Sequence, residues 1–256
     1  MNRRFGGAGI RRVIRAGARL TSSFVDTIPS TTPSNRWRAD TGVVTGATMT
    51  WTDSIGGRVV SQSTGANQPT VASASELRGT AVLDFPSSTH ALVSADAASV
   101  WTALHGPHTH YVIGVPRSVT TGRIFSTRNS SSTASTSAGV FVSLLSSSNS
   151  VRWAVGNGTA NPINAIDVAS AYADDGAGFW MGSWSDAAYR LDSNLVAAST
   201  GVPAAALGAG APQATLTIGG GAIMAIAEVI FWNRVLTADE RSTVETYISG
   251  RYGVAA

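Results

Sequence analysis

The chain of 256 residues contains no cysteine and no lysine. Without cysteine, disulfides contribute nothing to the fold, and the redox compartment is left undecided. Without lysine, all 18 basic residues are arginine, a side chain suited to fixed, bidentate contacts. Charge is sparse, at 13% of residues. No apolar run approaches the roughly 18 residues of a membrane span, so no membrane partner is expected. Several motifs are missing too. No G-x-S-x-G elbow prepares a nucleophilic serine. No lysine follows Gly219-Gly220-Gly221, so these glycines do not form a phosphate loop. No repeat occurs at solenoid or propeller periods.

What charge there is lies unevenly. Residues 1–20 hold Arg3, Arg4, Arg11, Arg12, Arg15 and Arg19 and no acid. The remainder has 18 − 6 = 12 arginines against 15 acids, so the body is mildly acidic and the arm carries the basic balance. Drawn as a helix, the arm sets Ile10, Val13, Ile14 and Leu20 opposite Arg11, Arg12, Arg15 and Arg19. Gly6, Gly7, Gly9 and Gly17 weaken that helix, so the arm is expected to order on docking. A solubilising tail and a mitochondrial presequence are the competing readings. Nucleic acid is a poor partner, because only Phe5 is interleaved with the arginines. Arginines interrupt every apolar stretch of the arm, which excludes a secretory signal.

Residues 21–34, with Pro29, Pro33 and a Thr/Ser cluster, have linker composition, which sets the expected domains at 1–34 (arm and linker) and 35–256. Thr, Ser, Val and Gly dominate the body. Thr48–Trp51, Ala81–Phe85, Ala91–Ser94, Thr109–Val115, Arg123–Thr127, Gly139–Leu145, Val151–Val155 and Gly178–Trp184 read as strands. Ala81–Phe85 and Ala91–Ser94 are expected to pair around a turn at Pro86–Thr89. Ala187–Leu191 and Leu195–Ala198 are expected to pair across Asp192-Ser193-Asn194. The serine-rich stretches 126–137 and 146–150 are expected as exposed loops.

The closing stretch, Ala214–Tyr252, is the most informative. ATLTIGG alternates as a strand, and Ile223–Trp232 is apolar except at Glu228, as suits a strand buried on both faces. Thr237 and Glu240 are spaced for a reciprocal capping box. Val244, Tyr247 and Ile248 follow at helical spacing, and Gly250 and Gly253 supply stops. Together with WRAD (Trp37–Asp40), WTDSIGG (Trp51–Gly57), NQPT (Asn67–Thr70) and AVLDF (Ala81–Phe85), this stretch resembles a laminin-G-like, concanavalin A-like jelly-roll domain. The resemblance covers roughly Thr32 to Gly253. It implies an all-β fold, a two-sheet antiparallel sandwich with one short C-terminal helix, used mostly for glycan or protein binding.

The resemblance also prompts a search for paired carboxylates, since related folds include glucanases. Glycosidases hold two carboxylates about 5 Å apart when retaining and about 6.5–9.5 Å apart when inverting. Glu228 is the sole acid of its strand, and no E-x-D-x-x-E pattern exists, so no catalytic residue is assigned and Glu228 reads as a buried structural acid satisfied by a nearby arginine or by backbone donors. His108 and His110 share a face of a strand, as zinc ligands do, but Pro107 precedes them and no cysteine or acid is near; no metal is assigned. Calcium, which some laminin-G-like domains hold, has only Asp174, Asp175 and Asp192 as loop acids. The tryptophans remain. Trp51, Trp101 and Trp232 read as core, and Trp180 and Trp184 share a face. Trp153 with Asn157, and Trp184 with Asp186, are the candidate sugar platforms.

These observations lead to an expectation of a non-enzymatic structural or adhesive protein. The expected setting is a bacteriophage virion, as a head decoration, fibre or spike, with the arm docked on capsid or tail proteins and the sandwich displayed outward. A homo-oligomer is expected, and no cofactor. The alternative is a free glycan-binding module of a bacterial surface or exported protein.

Overall fold

In the computed structural model the described residues are Ile28 and residues 31–118, 121–128, 138–146, 149–156, 164–203 and 214–255. The six arginines of the arm, Asn157 and most of the two serine-rich stretches lie outside them.

The strands in order are β1 Asn35–Arg38, β2 Val43–Val44, β3 Met49–Thr52, β4 Val59–Gln62, β5 Thr70–Ala74 and β6 Thr80–Phe85. β7 Ala91–Ser94, β8 His108–Pro116, β9 Gly122–Ser126, β10 Gly139–Leu145, β11 Ser150–Gly156 and β12 Asn164–Val168 follow. The last are β13 Gly178–Trp184, β14 Tyr189–Ser193, β15 Ser199–Gly201, β16 Thr217–Gly219 and β17 Met224–Trp232, before the helix α1 Ala238–Tyr252. One sheet runs β15-β14-β13-β8-β17-β6-β5, with β1 also paired to β17; the other runs β12-β11-β10-β9-β16-β7-β4-β3-β2. The result is a two-sheet antiparallel sandwich with a helix laid on one side, as the sequence implies.

Three layers result because β8, β13 and β17 are buried on both faces. Alternate residues of β8 go opposite ways: Val112 joins the core between the sheets, while Tyr111, Ile113 and Val115 face the helix. The helix answers with Val244, Tyr247, Ile248 and Tyr252, spaced along one of its faces. Its start is the expected reciprocal cap, with the Glu240 N–H donating to Thr237 Oγ1 and the Thr237 N–H donating to Glu240 Oε2. Its end is Gly253 at φ 76°, a left-handed position that favours glycine; Gly250 sits inside the last turn. The WTDSIGG turn is wound around the buried Asp53, which accepts from the Ile55 and Gly56 N–H groups and from Asn35 Nδ2.

Glu228 is fully buried, on the helix side of β17. A bulge puts it there: Ile226 pairs with Gly114 and Glu228 with Ile113, leaving Ala227 as the extra residue. The carboxylate accepts from Arg36 Nε at 2.5 Å, from Tyr247 Oη at 2.9 Å and from Tyr252 Oη at 2.5 Å. Of the partners expected from the sequence, an arginine or backbone donors, the structure supplies Arg36 of β1, and burial beside Glu228 pushes both tyrosine hydroxyls above their ordinary range.

Three expectations are corrected. β6 and β7 do not pair: β6 lies between β17 and β5 in one sheet, β7 between β16 and β4 in the other, so the chain crosses the sandwich at residues 86–90. The late hairpin joins β14 to β15, with Tyr189 opposite Gly201 and Leu191 opposite Ser199, so its loop is longer than the three-residue turn. The linker also ends early, because Ile28, Thr31 and Pro33 are buried against the body.

Removing Arg36 strands a carboxylate in a dry layer. Arg36→Ala is expected to cost about 3–5 kcal/mol in urea unfolding, against about 2 kcal/mol for Tyr247→Phe, which deletes the two hydrogen bonds of that hydroxyl, one to Glu228 and one from Arg36, and leaves the ion pair.

Candidate ligand-binding face

Neither tryptophan is exposed to serve as a sugar platform, and Asn157 lies outside the described residues. Trp153 and Trp184 are both wholly buried, and their rings meet edge-to-face at 5.7 Å in the core between the sheets. Their strands alternate, and at these positions the alternation points inward. Asp186 is exposed in the turn after β13, away from the buried indole of Trp184. Trp180 shares the inward face and donates its Nε1–H to the Ala171 carbonyl at 2.9 Å.

His108 and His110 share a face as expected, and that face is also the core. Their rings stack at 5.8 Å, and His110 meets Phe125, Trp153 and Phe231 edge-on. His108 Nδ1 lies 2.8 Å from the Gly106 carbonyl; neither nitrogen of His110 has a partner among the described residues. Gly182 lies directly opposite His110, and a Cβ there would come within 2.4 Å of the imidazole. Burial holds both rings neutral, lowering His108 to about 4 and His110 well below its ordinary value. Among the described residues no group of three His, Cys, Asp or Glu is arranged to hold a metal. Of the three acids expected in loops, Asp192 lies instead within β14, where it is paired with Arg190, and Asp175 is paired with Arg117.

The accessible chemistry lies on the other sheet. α1 covers the outer face of the sheet containing β17; no described helix covers the outer face of the sheet containing β9–β12. Val142, Leu144, Val151, Trp153, Ile166 and Val168 point into the core. Their neighbours Ser143, Arg152 and Asp167 therefore point out, and they are in register: Ser143 opposite Arg152, and Arg152 opposite Asp167. Arg123 extends the row across β9, opposite Ser143. It faces out because of a second bulge. Phe125 pairs with Val142 and Arg123 with Ser143, so Ile124 is extra and both Ile124 and Phe125 enter the core. In a regular strand Arg123 would share Phe125's face and be buried.

A groove of about 230 Å³ lies along this row, lined by Thr121, Arg123, Ser143, Arg152 and the backbone of Gly122, Gly220 and Gly221. The glycine run is there for close approach: a Cβ on Gly122 would fall 1.9 Å from the Gly221 carbonyl carbon. The two arginines differ. Arg152 is forked onto Asp167 at 2.7 and 2.6 Å, and its charge is neutralised. Arg123 meets no carboxylate among the described residues, so its guanidinium presents donors and a positive charge to the groove. Sequence reasoning missed these residues because they are four single positions on four strands. The one local sign was an arginine heading a strand otherwise read as core.

The sequence matches no protein-family profile and no curated protein. Solved structures do share the fold. The binding domain of botulinum neurotoxin DC, in complex with SialylT, aligns with a TM-score of 0.54 at 11% identity, over 87% of this chain and 52% of that one. Trypanosoma rangeli sialidase in complex with the inhibitor DANA aligns with a TM-score of 0.57 at 12% identity, over 90% of this chain and 34% of that one. The chain thus spans about half the length of the first and a third of the second. At these identities the likeness is one of fold.

The histidine pair makes stability depend on pH. The unfolded chain takes up protons below the ordinary imidazole value while the folded chain does not, so stability falls as pH falls through that range toward the lowered value of His108. Between neutral pH and about pH 5 the expected loss is about 2 kcal/mol per histidine. Urea midpoints against pH test this, and His110→Phe is expected to flatten the slope by roughly half.

Proposed function

We propose that the chain is a non-catalytic glycan-binding sandwich that takes acidic saccharides on its open sheet, with Arg123 as the anchor. The observation that carries this is an uncompensated guanidinium held in a groove beside Ser143 and a neutralised Arg152. A planar fork of N–H donors suits a sugar carboxylate, and charge-assisted bonds are about twice as strong as neutral ones. The sialic acid ligands and analogues named with the structural neighbours support the same ligand class. Absence of catalysis is supported by the engagement of Glu228 with Arg36 and two tyrosines, out of reach of solvent.

A second proposal concerns setting: the sandwich is displayed by the arginine-rich arm on an acidic partner, as in a virion decoration or fibre. It is favoured by the seat of Ile28, which packs with Leu236, Val244 and Ile248 on the helix side. Ile28 thus lies on the side of the sandwich opposite the Arg123 groove. Deleting residues 1–27 is expected to leave glycan binding intact and to abolish capture on an acidic assembly; unchanged capture overturns the display proposal.

The test of the main reading is titration with α2,3-sialyllactose by calorimetry. Arg123→Ala is expected to weaken binding about tenfold or more, and added salt to weaken it further. Absence of any binding on an array of acidic and neutral glycans overturns the reading.

A further inference from the structure

On the open sheet the outward positions of β9, β10, β11 and β12 form a single row: Arg123, Ser143, Arg152 and Asp167, each opposite the next. Neighbouring strands are about 4.8 Å apart, so the two arginines stand about 10 Å from each other with Ser143 between them. No other residue of these four strands is charged. The charge of this stretch of the face is therefore set by two arginines and one aspartate.

The aspartate ends the row. β12 is the edge strand of its sheet, and Asp167 accepts both arms of the Arg152 fork, from Nε at 2.7 Å and from Nη2 at 2.6 Å. A forked guanidinium holds a ligand carboxylate in the same geometry. Asp167 thus takes, from within the chain, the place that a second acidic group of a ligand would take. Stability does not require it there. The side chains are 28% and 41% exposed, and ion pairs so open to water contribute little. Arg123, on the same face, meets no carboxylate among the described residues. Two like side chains, two strands apart, differ in this one neighbour.

We infer that Asp167 is a charge-selecting residue of the open sheet: by occupying Arg152 it limits the row to one anionic group per ligand. The inference rests on the acidic-sugar reading of the Arg123 groove and names the class within it. Saccharides with an isolated carboxylate are taken, and chains acidic at every repeat gain nothing from their second charge. A second ligand carboxylate would have to displace Asp167, exchanging one charge-assisted pair for another, and the released aspartate would repel it. Asp167 itself touches no ligand in this arrangement and acts through Arg152. With asparagine at position 167 the repulsion is gone and the fork is open to the ligand.

The experiment is amide chemical-shift titration of the full-length, isotope-labelled chain with two probes. One is α2,3-sialyllactose, which has one carboxylate; the other is a hyaluronan tetrasaccharide, which has two, one disaccharide apart. Affinities are read from residues 122–123, 143, 150–156 and 164–168, so contacts of either probe with the arginine-rich arm are counted apart. Asp167→Asn is expected to tighten the tetrasaccharide about tenfold or more, the return from one further charge-assisted pair. Sialyllactose is expected to gain no more than about twofold, since one carboxylate cannot span both arginines and the removed charge lies three strands from Arg123. Adding Arg152→Gln to Asp167→Asn is expected to abolish the gain. Asp239→Asn makes the same change of net charge at the start of the helix and is expected to give none. Unmoved shifts elsewhere show that each variant is folded. An equal gain for both probes, a gain that survives Arg152→Gln, or no gain at all overturns the inference. Sialyllactose binding that is lost in Arg123→Ala reports on the acidic-sugar reading by itself, whatever the tetrasaccharide does at Arg152.

Discussion

The ion pair of Arg36 and Glu228 is where the layers of this protein are joined. The two residues are 192 positions apart, and each sits in surroundings that would reject it alone. Arg36 belongs to the first strand, Glu228 to the last, and Tyr247 and Tyr252 to the helix, so one carboxylate gathers three elements. An apolar substitute of similar volume can match such a pair in stability. What the pair adds here is registry: with Arg36 opposite Ile230 and Arg38 opposite Glu228, a slip of β1 by one residue would turn the guanidinium to the wrong face. The helix inherits its position from the same point.

With that joint fixed, the two faces of the sandwich have different fates. The sheet containing β17 is largely spent on structure, since the helix takes up the outer side of its central strands and leaves the edge strand β5 exposed. The opposite sheet gives one side to the core between the sheets, and the alternate positions of its other side carry Arg123, Ser143, Arg152 and Asp167 beside the buried Phe141 and Ala154. Between them lies a core with a polar inclusion, the His108–His110 pair, which the surrounding aromatic rings hold uncharged. The fold is thus tolerant of neutral polar groups inside and strict about charge.

Much of this was legible in the sequence wherever the determinant was local. The Thr237–Glu240 cap, the unbroken apolarity of β17 and the shared face of His108 and His110 all follow from spacing within a single element. So did the need of Glu228 for buried donors, though not that Arg36 and two tyrosines of the helix supply them. Partner choice between strands was less accessible: nothing near Pro86 records that β6 and β7 belong to different sheets. The tryptophans misled because an indole in a strand looks alike from sequence whether it faces solvent or core. The Arg123 groove was the least legible, being assembled from one residue on each of several strands.

The extra residue at Ile124 gives β9 two reading frames. N-terminal to it, odd-numbered positions face solvent; C-terminal to it, odd-numbered positions face the core. Ala227 does the same for β17, and in both strands the frame change sets down a charged side chain where simple alternation would forbid it. The surface chemistry of such a sandwich is therefore encoded in strand length as much as in residue identity. Losing one apolar residue, Ile124, whose side chain is buried in the core, would rewrite which groups the open sheet shows to the world without altering a single polar side chain.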